Sequence, residues 1–104
     1  MKKPVPDWLV LAMWRALLGE IYPSIRAIAV KFDEDSYLLI RYYLDREPIE
    51  MDKESLEVVA TNVSASTGLQ LVPRIEIDCQ FTRVPFGALD ALDCFIYCRR
   101  EYDL

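Results

Sequence analysis

YLLIRYYLDREPIEMD, residues 37–52, changes its hydrophobic period halfway along. Leu38, Ile40, Tyr42 and Leu44 alternate with Tyr37, Leu39, Arg41 and Tyr43, the two-residue repeat of a strand with two distinct faces. The alternation stops at Asp45-Arg46-Glu47 and Pro48. Beyond them Leu56, Val59, Ala60 and Val63 fall at i, i+3, i+4 and i+7, while Glu54, Glu57 and Thr61 point outward, which predicts a helix over 50–68. Glu50 and Asp52 stand where a helix N-terminus favours negative charge, and Gly68 is a stop. The β-branched and serine residues make this helix weak by propensity, so packing must hold it. Strand, charged turn and helix follow one another directly, so the chain is neither all-α nor all-β.

Upstream, Pro4, Pro6 and Asp7 open a helix expected to run to about Glu20, with Asp7 as its cap. Trp8, Leu11, Ala12 and Leu18 line one side of it and Leu9, Met13, Ala16 and Leu17 lie beside them, so the expectation is broad burial with Arg15, Gly19 and Glu20 toward water. Trp8 and Trp14 are read as core packing. Residues 22–32 then alternate as a strand, Asp33–Ser36 turns the chain, and the two strands form a hairpin. Downstream, a third strand over 69–81 puts Leu71, Ile75, Ile77, Cys79 and Phe81 on one face and Arg74, Glu76, Asp78 and Gln80 on the other, which meets water. Pro73 assigns its early part to an edge or bulge. The loop TRVPFGALDALD leads to a last strand, CFIYCRRE, whose apolar start on both faces assigns it to the sheet interior. The order α-β-β-α-β-β makes an α+β fold, a small mixed four-stranded sheet with two helices, with residues 1–104 as a single domain.

Composition excludes several functions. The 104 residues are 53% hydrophobic and 28% charged, ordinary for a globular domain. The net charge of −5 repels phosphate backbones, which argues against direct nucleic-acid binding, and would steer a basic protein toward this one. Cys94 and Cys98 lie roughly 13 Å apart along a strand, too far for a disulfide, and without histidine a zinc site is improbable. All three cysteines read as small apolar residues of a reducing compartment. The N-terminal apolar run is interrupted by Arg15 and too short to span a membrane, and no cleavage site follows it, so the expected location is cytoplasmic.

The strand order also limits which charges cooperate. A strand of about nine residues spans roughly 30 Å, so the Asp33 turn and the 45–52 segment occupy opposite ends of the sheet. A third strand returning beside the second would bring the loop 82–93 next to 45–52. Tyr43, Asp45, Glu47, Glu50, Asp52, Phe86, Asp90 and Asp93 would then share one edge, the candidate partner-binding site. That edge reads either as a solvated loop or as a protein-binding rim. Catalysis there would need a pair of carboxylates in contrasting environments, but Arg46 separates Asp45 from Glu47 and no histidine or nucleophile stands by. Ser64, Ser66 and Thr67 form no nucleophile elbow, the three glycines form no phosphate loop, and Asp33-Glu34-Asp35 is no calcium loop. The residues therefore imply no enzyme, no cofactor and no metal.

Three stretches carry a resemblance. LLGEIYPSIRAIAVKF contains E-[IV]-Y-x-x-[IL]-R, LLIRYYLDREP ends in YxLDREP, and LDCFIYCRREYDL contains LDxxxYxRRE. Together they are similar to immunity proteins of bacterial contact-dependent growth inhibition and related polymorphic toxin systems, over nearly the whole chain. The resemblance implies a non-enzymatic cytoplasmic inhibitor that binds the C-terminal domain of a cognate toxin, often a nuclease, and occludes its active site or a neighbouring surface. Tyr42, Tyr43 and Phe86 would serve as anchors, and Arg26, Arg41, Arg46 and Arg99 would pair internally with Glu20, Asp45, Glu47 and Glu101. The alternative is a non-enzymatic interaction module or regulatory subunit of another assembly. The oligomeric state does not follow from the sequence.

Overall fold

A computed structural model describes residues 5–33, 35, 37–67 and 74–101. Helix α1 (Asp7–Ala16) leads into a hairpin of β1 (Ile25–Asp33) and β2 (Tyr37–Leu44). Helix α2 (Glu50–Thr67), β3 (Ile75–Phe81), a short 3-10 turn at Phe86–Ala88 and β4 (Cys94–Cys98) complete it. The sheet order is β3-β2-β1-β4. The β1 strand is antiparallel to both its neighbours, whereas β2 and β3 are parallel, so the sheet is mixed and the architecture is the expected α+β.

Both helices cover one face of this sheet. Leu9, Met13, Ala16 and Leu17 from the first helical segment meet Leu56, Val59 and Val63 of α2 over Ile28 and Val30 of β1 and Leu38, Ile40, Tyr42 and Leu44 of β2. The period-two residues of the opening stretch are thus core, and truncating one such buried leucine to alanine costs about 2–5 kcal/mol. Ile75, Ile77 and Cys79 of β3 and Cys94 and Ile96 of β4 extend that layer at either side. A smaller cluster lies on the opposite face, where Ala27, Ala29 and Tyr43 are covered by Leu89, Phe86 and Leu92 of the loop after β3.

Several boundaries differ from expectation. The α1 helix stops at Ala16, and the chain turns through Gly19 at φ 79°. Pro6, not Asp7, holds the cap position, and its carbonyl accepts the Leu9 and Val10 N–H groups, so Asp7 acts only through its charge in the first turn. The broad burial foreseen for this helix is half correct. Leu9, Ala12, Met13 and Ala16 are buried, but Leu11, Trp14 and Leu18 are 49%, 54% and 78% exposed. Trp14 bridges outward to the sheet, its indole N–H donating to the Ile96 carbonyl at 3.2 Å. Residues 69–73, including Leu71 and Pro73 of the expected third strand, and Gly68 lie outside the described residues.

The last strand is the main correction. It forms an edge beside β1, not an interior strand. Its apolar residues face two covers instead of two neighbours, since Cys94 and Ile96 join the helix layer while Phe95 packs at 5.4 Å against Phe86 of the crossing loop. Because β4 is antiparallel to β1, it runs in the same direction as β3 at the other edge. Two strands running the same way need a crossover of about a dozen residues, and 82–93 is that crossover. It starts where β2 ends, with the Thr82 N–H on the Leu44 carbonyl at 3.2 Å, and finishes at the far end of β1, with the Asp93 N–H on the Val30 carbonyl at 2.9 Å.

Candidate partner-binding surface

The path of this loop separates the residues that the sequence suggested would share one edge. Asp45, Glu47, Glu50 and Asp52 do gather at the end of β2. Asp93 sits at the opposite end, where its carboxylate accepts the Phe32 N–H at 2.7 Å. Asp90 lies between, on the loop. Its side chain accepts the Leu92 N–H at 2.8 Å, closing the turn in which Leu92 adopts φ 55°, and its carbonyl accepts the Tyr43 hydroxyl at 2.8 Å. Tyr43 is buried beneath the loop, with the Arg41 guanidinium 5.8 Å from its ring centroid, and Phe86 is half-buried against Phe95. Tyr42 is wholly inside the helix-side core. Neither tyrosine is presented to a partner as an anchor.

At the end of β2 the charged turn divides into a structural half and a free half. Asp52 occupies the third position of α2 with no exposed surface. Its carboxylate accepts both Arg46 guanidinium N–H groups at 2.7 and 3.0 Å, the Ile49 N–H at 2.7 Å and the Tyr22 hydroxyl at 2.5 Å. The Ile49 bond is the reach-back of a capping box, an acidic side chain three residues in satisfying the cap N–H. Burial alone would favour the neutral acid, but the bonds from Arg46, Ile49 and Tyr22 outweigh it and hold the carboxyl down at about 2. Burial first, and the hydrogen bond to Asp52 second, push the Tyr22 phenol well above its usual range. The tip therefore ties α1's exit, the β2 turn and the start of α2 together.

Asp45 belongs to a second network. It pairs with Arg99 at 2.6 Å, Arg99 with Glu101 at 2.9 Å, and Glu101 with the buried Arg26 at 2.7 and 2.9 Å. Arg26 also donates to the Thr82 carbonyl at 3.0 Å, and Arg99 to that of Pro23 at 2.8 Å. The bonds from Arg26 and then Arg99 hold the Glu101 carboxyl below its usual range despite burial. Of the internal pairings foreseen, Arg26–Glu101, Arg99–Glu101 and Arg99–Asp45 form, whereas Arg46 takes Asp52 and Arg41 takes Asp78 at 2.8 Å. Glu20 and Glu47 take no arginine among the described residues.

What remains is a row of unspent acid. Glu47, Glu50, Glu54 and Glu57 are exposed, stand three or four residues apart along the turn and the outer side of α2, and make no ion pair among the described residues. Exposed Met51 and Val58 flank this row. Glu54 and Glu57 were legible as outward-facing, but their isolation was not, because it depends on which arginines the other acids take. A second surface that sequence reasoning missed is the α1 ridge of Leu11, Trp14 and Leu18. A wide apolar stripe signals burial from sequence, and only the position of α1 over the sheet shows which half is covered. Among the described residues no group of His, Cys, Asp and Glu converges to hold a metal, and no helix is long and apolar enough to cross a membrane.

A small α+β domain with Arg26, Arg41, Arg46 and Arg99 committed to structural pairs and its surplus carboxylates on display fits a protein that binds another protein. The chain belongs to the MafI2 immunity protein family, whose family model matches residues 6–101. It is accordingly an immunity protein of a polymorphic toxin system, and a cognate toxin is its implied partner. No curated protein matches the chain.

Proposed function

We propose that the chain acts in the cytoplasm of the producing cell, where it binds the C-terminal domain of its cognate toxin and covers the active site or an adjoining surface. Membership of the immunity family carries this reading. We further propose that the toxin domain is a basic nuclease, delivered as in contact-dependent growth inhibition. A nuclease needs positive charge to hold its substrate, and the row Glu47, Glu50, Glu54 and Glu57 offers carboxylates in place of phosphates. Asp45 borders that row but is engaged by Arg99. Inhibition of this kind needs no bond-making by the immunity protein.

Co-expression with the toxin domain encoded directly upstream should restore growth, and pull-down should recover the pair. Changing Glu50, Glu54 and Glu57 to glutamine should slow association roughly tenfold at low salt, with little change at high salt, where screening acts on both proteins. Equal association rates at low salt would remove the acidic row from recognition. Failure of growth rescue and pull-down together would remove the whole reading.

A further inference from the structure

The two edges of the sheet are treated differently. The β4 edge is only five residues long, its pairing with β1 is broken by a register shift, and the Trp14 indole occupies its outward Ile96 carbonyl. These are the devices by which proteins close an edge to further pairing. The β3 edge has none of them. Ile75–Phe81 pairs with β2 in seven uninterrupted steps, from Leu38↔Ile75 to Leu44↔Phe81. The ladder is bracketed by the Leu38 N–H on the Arg74 carbonyl at 2.8 Å and the Thr82 N–H on the Leu44 carbonyl at 3.2 Å. In a parallel pair, alternate residues direct both backbone groups to the same side. Arg74, Glu76, Asp78, Gln80 and Thr82 therefore bond to β2, and the N–H and C=O groups of Ile75, Ile77, Cys79 and Phe81 point away from the sheet. Among the described residues no backbone or side-chain group bonds to them.

An open cleft of about 360 Å³ runs beside this edge, between β3 and the start of α2, with Pro48, Ile49, Lys53, Ile77 and Cys79 in its walls. Ile49 is 53% exposed there. The edge thus offers a seven-residue backbone template with an apolar recess for alternate side chains, the arrangement by which a sheet accepts an added strand. Asp78 also borders the cleft, but its carboxylate is held by Arg41 at 2.8 Å and Glu76 is paired with Arg74 at 3.6 Å, which leaves Glu50, at the cleft mouth, as the acid without an ion pair among the described residues.

Resting on the immunity reading, we propose that the toxin domain docks by adding one of its own extended segments to the β3 edge, a segment alternating apolar side chains toward the cleft with polar ones on the other face, and carrying a basic residue that meets Glu50 at the cleft mouth. A second copy of this chain is the poorer occupant. Two β3 strands pairing antiparallel about their midpoint would set Asp78 against its own counterpart and join two bodies of charge −5.

Residue-resolved amide hydrogen exchange on the intact chain, alone and with the upstream-encoded toxin domain, tests this. Alone, the amides of Ile75, Ile77, Cys79 and Phe81 should exchange fast while those of Glu76, Asp78 and Gln80 exchange slowly. In the complex the outward set should slow by roughly tenfold or more, erasing the alternation. A complex that forms, with the outward amides exchanging as before, overturns edge docking and leaves the immunity reading intact. No complex and no growth rescue overturns both. Protection of the outward amides in the isolated chain, together with a doubled sedimenting mass, overturns the proposal in favour of self-pairing.

Discussion

Replacing Asp52 with asparagine should show how much of this fold depends on one buried carboxylate. The change keeps the shape but removes the negative charge that faces Arg46, Tyr22 and the Ile49 N–H. The carboxyl falls from its usual 3.8 to about 2 in the folded protein. At more than about 1 kcal/mol per tenfold in the ionisation equilibrium, the folded state gains roughly 2 to 3 kcal/mol from the ionised form at pH 7. Because the folded value is depressed, this contribution is complete above the unfolded value, near pH 4 to 5, and is lost as the pH falls through 2. At pH 3 about half remains. Urea unfolding of both proteins at pH 7, 4 and 3 should therefore give a penalty for Asp52→Asn of roughly 2 to 3 kcal/mol at neutral pH that shrinks steadily in acid. A penalty below about 0.5 kcal/mol at pH 7, or one that does not change with pH, would refute the claim that ionised Asp52 anchors the turn to α2.

Glu101→Ala leaves the buried Arg26 facing Arg99 without its acid, and should destabilise by roughly 3 kcal/mol in chemical denaturation. The double change Arg26→Met with Glu101→Leu should cost clearly less than Glu101→Ala, since it removes the stranded charge as well. Asp45→Asn should lower stability by under about 1 kcal/mol by the same measurement, because the pair is partly exposed and Arg99 keeps Glu101 and the Pro23 carbonyl. In thiol titration of the native protein at pH 8, Cys98 should react first, being exposed. Burial raises all three thiols, Cys79 to about 11, so exposure sets the order, and the half-buried Cys79 and Cys94 should wait for denaturant.

The sequence carried the element types because they are written in local repeats. Leu38, Ile40, Tyr42 and Leu44 could only be one face of a strand, and Leu56, Val59 and Val63 one face of a helix, whichever neighbours they met. The resemblance in YxLDREP and LDxxxYxRRE was legible for a related reason. These motifs contain Arg46, Arg99 and Glu101, whose bonds to Asp52, Asp45 and Arg26 hold the tip together. Sequence order did not show that β4 crosses to the far edge, because its apolar pattern is the same whether strands or covering layers surround it.

The sequence alone determined a domain of two helices and four strands with an acid surplus, since period and net charge need no knowledge of neighbours. Tertiary structure decided where that surplus appears. An acid's role depends on which arginine lies within hydrogen-bond reach, a distance set by strands far apart in the chain. The crossing of residues 82–93 sent Asp93 to one end and Tyr43 beneath a loop, and the capture of Asp45, Asp52, Asp78 and Glu101 left Glu47, Glu50, Glu54 and Glu57 as the free carboxylates along the turn and α2.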